Sequence, residues 1–328
     1  MASSSGTTIS AVPDDIIRTH ILTRLHGPAL ASVATTSSQF YALSTDEHLW
    51  ASVCQSTWPS TRSPLITSII STFPHASRSF FSDSSTTTSH CTPLNVNANP
   101  DRTPQLISAV DLYYGQQIVF SRVLETETVS GWFRCSPFRL DLLDPKDVVQ
   151  TSVQYPEGEN SCGELRLSWI VIDREGRRAV NVSSQKPVSV KRHWLSGEFQ
   201  VRFASVLVGD KGSASELALC QLVVTCGGAE GGEMQVREVS MEMEDMEGRH
   251  LNGRESLGII QRAMEGKRGK KNVGVEAEEE ARKRYKEFVG KKKERIEKKV
   301  RAEGRLDMLC VGLVAVSFAA FFSMFVLW

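Results

Sequence analysis

Leu165-Arg166-Leu167-Ser168-Trp169-Ile170-Val171-Ile172 is a short apolar run, β-branched and aromatic, that follows Gly163 and stops at Asp173. That composition belongs to a strand rather than to a helix. It is one of a series: Arg178 to Val182, Phe199 to Val208, Leu217 to Thr225 and Met234 to Met241 repeat it, separated by Gly, Asp, Ser or Lys. Short strands at this spacing predict an antiparallel β-sandwich, and the period changes from helical to alternating after Gln105. Gly227-Gly228 and Gly231-Gly232 frame a hairpin turn; neither Lys-Ser nor Lys-Thr follows them, as a phosphate loop would require. Arg254 to Glu265 carries Leu257, Ile260 and Met264 at i, i+3 and i+7, an amphipathic helix that closes a β-rich domain spanning 105–265.

Beyond that domain the charge pattern changes. Residues 266–306 read as a basic helical stalk, in which Lys283, Arg284, Lys286, Lys291, Lys292, Lys293, Arg295, Lys298, Lys299 and Arg301 outweigh Glu287, Glu294, Glu297 and Glu303. From Met308 to Trp328 there is no charged side chain. At about 1.5 Å per residue this run reaches roughly 30 Å, the thickness of a bilayer core. A single transmembrane tail anchor over 307–328 is therefore expected, contacting membrane lipid, with the basic flank and everything N-terminal to it in the cytosol. High hydrophobicity without a following basic residue favours the endoplasmic reticulum or nuclear envelope over mitochondria.

Composition bounds the remainder. A chain of 328 residues with 41% hydrophobic content and a formal charge of zero can build two soluble modules beside the anchor. No global charge points to a polyanion, and the basic stretch offers only Tyr285 and Phe288 for base stacking, so nucleic acid is not an expected partner. Seven cysteines without a Cys-x-x-Cys pair fit a reducing compartment. Seven histidines show no metal-ligand spacing, and neither a serine elbow nor a Cys/His constellation stands out. No cofactor, metal or catalytic residue is therefore assigned. Trp132, Trp169 and Trp194 are the candidate aromatics of a binding face on the sheet, set against the ordinary use of sandwich aromatics as core. Residues 1–10 are Ser/Thr-rich, lack an apolar signal region and read as disordered.

The first module, 11–59, has helical punctuation. Pro13-Asp14-Asp15 is a start signal, Ile17, Ile21, Leu22 and Leu25 share a helical spacing, and Gly27-Pro28 breaks it. Leu30, Val33, Phe40, Leu43, Leu49 and Trp50 continue the apolar pattern. So small a helical unit cannot bury its own apolar face well and is suited to docking on a partner's groove. The order Pro13-Asp14-Asp15-Ile16-Ile17, Leu22-x-x-Leu25, Gly27-Pro28-x-Leu30, Val33, Ser38-Gln39-Phe40, Leu43 and Leu49-Trp50 resembles an F-box. Ser56 to Ser60 and Ser79 to Asp83 are similar to a plant F-box subfamily.

The resemblance implies that Pro13, Ile16, Ile17, Ile21, Leu22, Leu25, Pro28, Leu30, Val33, Phe40, Leu43, Leu49 and Trp50 bind a Skp-type adaptor and, through it, a cullin. The chain would then be a non-catalytic substrate-recognition subunit of a ubiquitin ligase, held at a membrane and recruiting a protein target. The other reading is a membrane-anchored carbohydrate or lipid binder whose N-terminal helices only cap the sandwich. Residues 60–104, dense in Ser, Thr and Pro, are expected to form a mobile linker, with one short helix in Leu65 to Phe73. The expected fold class is α+β: F-box module, antiparallel β-sandwich-like domain, basic helical stalk and one transmembrane helix.

Overall fold

The computed structural model describes residues 12–85, 91–92, 99–156, 158, 161–209, 216–229, 232–268 and 275–326. The expected disordered N-terminus, residues 86–90 of the Ser/Thr tract and the last two residues of the anchor lie outside these. The fold is α+β, with helices at both ends of the chain and antiparallel sheets between them.

The helical layer comprises α1 (Asp14–Ile16), continued by a π turn (Ile17–Ile21) and a 3-10 turn (Leu22–Arg24), then α2 (Gly27–Val33), α3 (Ser38–Ser44), α4 (Glu47–Thr57), a 3-10 turn (Pro59–Arg62), α5 (Pro64–Ile70) and α6 (Ala76–Ser84). Local chemistry sets the boundaries. Pro28 occupies the first turn of α2, the Ser37 side chain accepts from Phe40 N–H to open α3, and Asp46 accepts from His48 N–H to open α4.

The region expected as a mobile linker from residue 60 is instead helical up to Ser84. Ile66 and Phe80 are fully buried and Ile69 nearly so. Trp58 packs edge-on against Phe80 with ring centroids 6.0 Å apart, and Phe81 lies 5.4 Å from both Trp50 and Trp58. The Ser/Thr-rich composition hid these apolar anchors, which recur at helical spacing and supply the burial that offsets ordering entropy. Glu47 completes the arrangement by accepting from Ser77 N–H at the start of α6 (3.1 Å). Gly27 sits against the Phe81 ring, where a Cβ would collide with it. Gly27→Ala is expected to cost about 1–3 kcal/mol by overpacking, read as a lower midpoint in urea unfolding.

A two-residue pairing of β1 (Cys91–Thr92) with β12 (Lys267–Arg268) precedes the main domain in sequence and closes after it. The first large sheet has the order β3-β2-β6-β7, from β2 (Gln105–Tyr114), β3 (Gln117–Glu127), β6 (Leu165–Asp173) and β7 (Arg178–Asn181). The second contains β4 (Arg139–Asp141) and β5 (Val149–Gln154), both paired to β11 (Glu233–Glu244), followed in order by β10 (Leu217–Gly228), β9 (Phe199–Val208) and β8 (Ser189–Arg192). A short helix, α7 (Gly131–Cys135), and the long amphipathic α8 (Gly253–Glu265) flank them, α8 opening with a capping box between Asn252 and Glu255.

The core explains why Leu165 to Ile172 reads as a nearly unbroken apolar run. Leu165, Leu167, Trp169 and Val171 face the second sheet, while Ile170 and Ile172 join the helical core with Ile107, Ala109 and Ala179. The sheet is covered on both faces, so polar alternation is lost. In β11 the inward set shifts from Met234 and Val236 to Val239, Met241 and Met243. A bulge causes the shift: Thr225 pairs with Glu238 and Cys226 with Val236, leaving Arg237 as the extra residue.

The long helix α9 (Val275–Val326) covers part of the second sheet's outer face. Phe288, 2% exposed, packs with Ala204, Leu219 and Met246, and Tyr285 lies beside them. Lys186 pairs with Glu278 (2.8 Å), Lys292 with Glu244 (2.8 Å) and Lys299 with Glu247 (3.0 Å). The segment expected as a basic helical stalk is helical from Val275 and is docked on the sandwich between Glu278 and Lys299.

Candidate functional site

The thirteen residues predicted to bind an adaptor fall into three groups. Ile17, Leu22, Leu30, Leu43, Leu49 and Trp50 are buried and belong to the core shared with α5, α6 and the first sheet. Leu25, Pro28, Val33 and Phe40 are half-buried, and Pro13, Ile16 and Ile21 are exposed. The buried six hold the module together and cannot themselves meet a partner. Trp50, for instance, donates its indole N–H to the Ser44 carbonyl (2.7 Å) beneath the surface.

Over Ile16 to Leu22 the π turn accounts for the division. Its wider winding brings residues five apart onto one side, so Ile17 and Leu22 point inward while Ile16 (46% exposed) and Ile21 (37%) lie outward. An ordinary helical period places Ile21 on one apolar stripe with Ile17, Leu22 and Leu25, which is why the helical spacing grouped it with inward residues; Ile16 entered only through the F-box resemblance. Tyr41, 52% exposed with the Arg78 guanidinium over its ring at 5.3 Å, adds an aromatic to the module's surface. Its signal was available in the sequence, beside Phe40 and out of phase with Leu43. Gln39 donates to Asp14 (2.7 Å), tying α3 to the start of α1.

The helical layer is fastened to the first sheet by Asp111 of β2. This carboxylate is fully buried and accepts from Ser60 N–H (2.9 Å), the Ser60 hydroxyl (2.6 Å) and the Ser121 hydroxyl (2.7 Å). Burial pushes its pKa up, and the three hydrogen bonds oppose that shift only in part. Tyr113 donates its hydroxyl to the Thr57 carbonyl (3.1 Å), and burial with the nearby Asp111 charge pushes it up to about 12. A second tie runs from Asp83 of α6, which pairs with Arg178 (3.1 Å) and accepts from Ala179 N–H (3.2 Å) in β7.

The three tryptophans separate as well. Trp169 is fully buried between the sheets and donates to the Ser108 hydroxyl (3.1 Å), so it is core and not part of a surface site. Trp132 in α7 and Trp194 in the β8–β9 turn are 83% and 88% exposed. Leu195, 74% exposed, stands next to Trp194 in a turn closed by Gly197 N–H to the His193 carbonyl (2.9 Å) and His193 N–H to the Glu198 carbonyl (2.7 Å). The Tyr155 hydroxyl donates to the Gly197 carbonyl (2.9 Å), adding a third restraint.

A cleft of about 530 Å³ opens between β3, the 3-10 turn of the helical layer that starts at Pro59, and the segment leading into β5. No group of three or more His, Cys, Asp or Glu side chains arranged to hold a metal occurs among the described residues. Burial pushes the Cys54, Cys220 and Cys226 thiols up to about 12, which keeps these sulfurs protonated at neutral pH. Within α9 lies the one stretch among the described residues that is long and apolar enough to cross a membrane; Met308, Leu309, Phe318 and Phe322 on it are all exposed.

An F-box-like family model matches residues 9–56, the segment that carries the outward apolar face. Three proteins of Arabidopsis thaliana are similar over nearly the whole chain. F-box protein At2g27310 is 43% identical, covering 94% of this chain and 93% of its own; Probable F-box protein At2g36090 is 45% identical, covering 98% and 94%. F-box protein At3g44326 is 43% identical over 89% of this chain and 83% of its own. No solved structure matches.

Proposed function

The chain belongs to the F-box proteins, and from that membership we propose that it is the substrate-recognition subunit of a Skp-cullin-F-box ubiquitin ligase, tethered to a membrane. The observation that carries the reading is the exposed apolar set Pro13, Ile16 and Ile21 on a helical layer whose own core is complete without them. Exposed apolar side chains on a rigid support are what an adaptor groove requires. The partners are a Skp-type adaptor, a cullin bound through it, and a protein target on the β-sandwich. Catalysis resides in the partners, and this subunit contributes position, raising the target's effective concentration at the ligase.

The exposed apolar stretch of α9 supports the tether, at the cytosolic face of the endoplasmic reticulum or nuclear envelope. The test is co-purification of the full chain, and of residues 1–306, with a Skp-type adaptor and cullin after membrane fractionation. Both chains are expected to capture adaptor and cullin, and only the full chain to sediment with membranes. Failure of both to capture adaptor would shift the reading to a membrane-anchored carbohydrate or lipid binder.

A further inference from the structure

The cleft beside β3 has the features of a peptide site. β3 is the terminal strand of its sheet, paired to β2 on one side only, and β5 pairs to β11 alone. The β3 edge thus lies along the opening, with Val149 at the start of β5 across from it, bracketed by Gln117 donating to Ser152 (2.5 Å) and Arg122 donating to the Leu142 carbonyl. Unpaired strand edges are satisfied by the backbone of an added extended segment, not by a helix or a lipid surface. The volume of about 530 Å³ lies within the usual range of ligand sites.

The lining adds side-chain preference. Ile118 (40% exposed) and Val148 (43%) are apolar walls, above Phe120 and Leu143, which are buried. Arg122 and Asp147 are the charged members of the lining. Neither takes an ion-pair partner among the described residues, whereas Arg139, Arg237 and Arg249 are each matched to carboxylates. A cleft that carries one charge of each sign, neither of them in an ion pair, complements a segment that carries both.

We propose that this cleft is the target-recognition site, and that its occupant is an extended segment of a protein target presenting an apolar residue flanked by an acidic and a basic one. This rests on the receptor reading and names the class of target it takes. The acidic residue meets Arg122, the basic one meets Asp147, and the apolar residue lies between Ile118 and Val148. Pro59 forms one wall of the cleft, so the segment is held at the joint between helical layer and sheet.

The test uses the full chain in detergent with a Skp-type adaptor, panned against a phage library of random twelve-residue peptides. Enriched peptides are then synthesised and titrated by fluorescence anisotropy. Peptides of the stated pattern are expected, with binding weakened at least about tenfold by Ile118→Glu with Val148→Glu. Arg122→Glu should weaken them similarly, and replacing the peptide's acidic residue by lysine should restore binding to that variant, a recovery that misfolding cannot produce. No enrichment, or equal affinity for wild type and variants, overturns the proposal. Adaptor capture is scored in the same samples, so loss of peptide binding alone is distinguished from failure of the receptor reading.

Discussion

Replacing Ile16 and Ile21 together by Asp is expected to lower affinity for a Skp-type adaptor by two orders of magnitude or more, with the melting temperature unchanged. Both side chains already face solvent, so the free protein loses little. In the complex each gives up roughly 1 kcal/mol of burial, since each is already more than half covered, and places a carboxylate against an apolar groove at about 1–3 kcal/mol more. Two such losses correspond to a factor on the order of a hundred or more. Titration calorimetry against purified adaptor reads the affinity, and a thermal melt reads the fold. Leu22→Asp is the informative contrast. Leu22 is 1% exposed within the helical core, so a charge there should collapse the module and lower the melting temperature. An unchanged adaptor affinity for the Ile16/Ile21 variant would show that the outward face is not the docking surface.

The second large effect is at Asp111. Asp111→Ala removes the acceptor for the Ser60 N–H, the Ser60 hydroxyl and the Ser121 hydroxyl, all at the buried seam between helical layer and sheet. Relief of carboxylate desolvation offsets part of that loss, leaving an expected destabilisation of about 2–4 kcal/mol in urea unfolding. The pH dependence has a definite sign. Burial raises the folded-state pKa above its ordinary 3.8, so the folded protein holds this proton more tightly than the unfolded chain. The contribution is therefore full below 3.8 and declines as pH rises through the raised folded value. Asp111→Asn should remove that slope; a slope identical in the variant would assign it to other carboxyls.

Much of this fold is legible in the residues. The strands from Leu165 onward, the closing amphipathic helix and the apolar stretch of α9 each follow from period, turn chemistry or length. What escaped is what depends on a neighbour. Trp169 is apolar and central in its run, and only the presence of sheets and helices on both sides of that strand marks it as core. Ile66, Ile69, Phe80 and Phe81 sit in a segment whose Ser and Thr content reads as a linker, yet their spacing is helical and their partners, Trp50 and Trp58, lie in the preceding module. The adaptor residues were legible as a set but not as inward and outward members; at Ile17, Ile21 and Leu22 the π turn alters the very period used to find them, and further on the inward members are fixed by α5, α6 and the first sheet.

The docked helix α9 continues without a break from Phe288, under the hold of Lys292 and Lys299, into its apolar end. From Lys299 to Met308 is roughly 14 Å at helical rise. With that end in a bilayer, as proposed, the sandwich is carried on an unbroken helix: it drifts and turns in the membrane plane with its height preset. Encounters then become a two-dimensional search, governed by diffusion in the membrane plane, in which a target qualifies by the altitude of its exposed segment above the lipid as much as by its sequence.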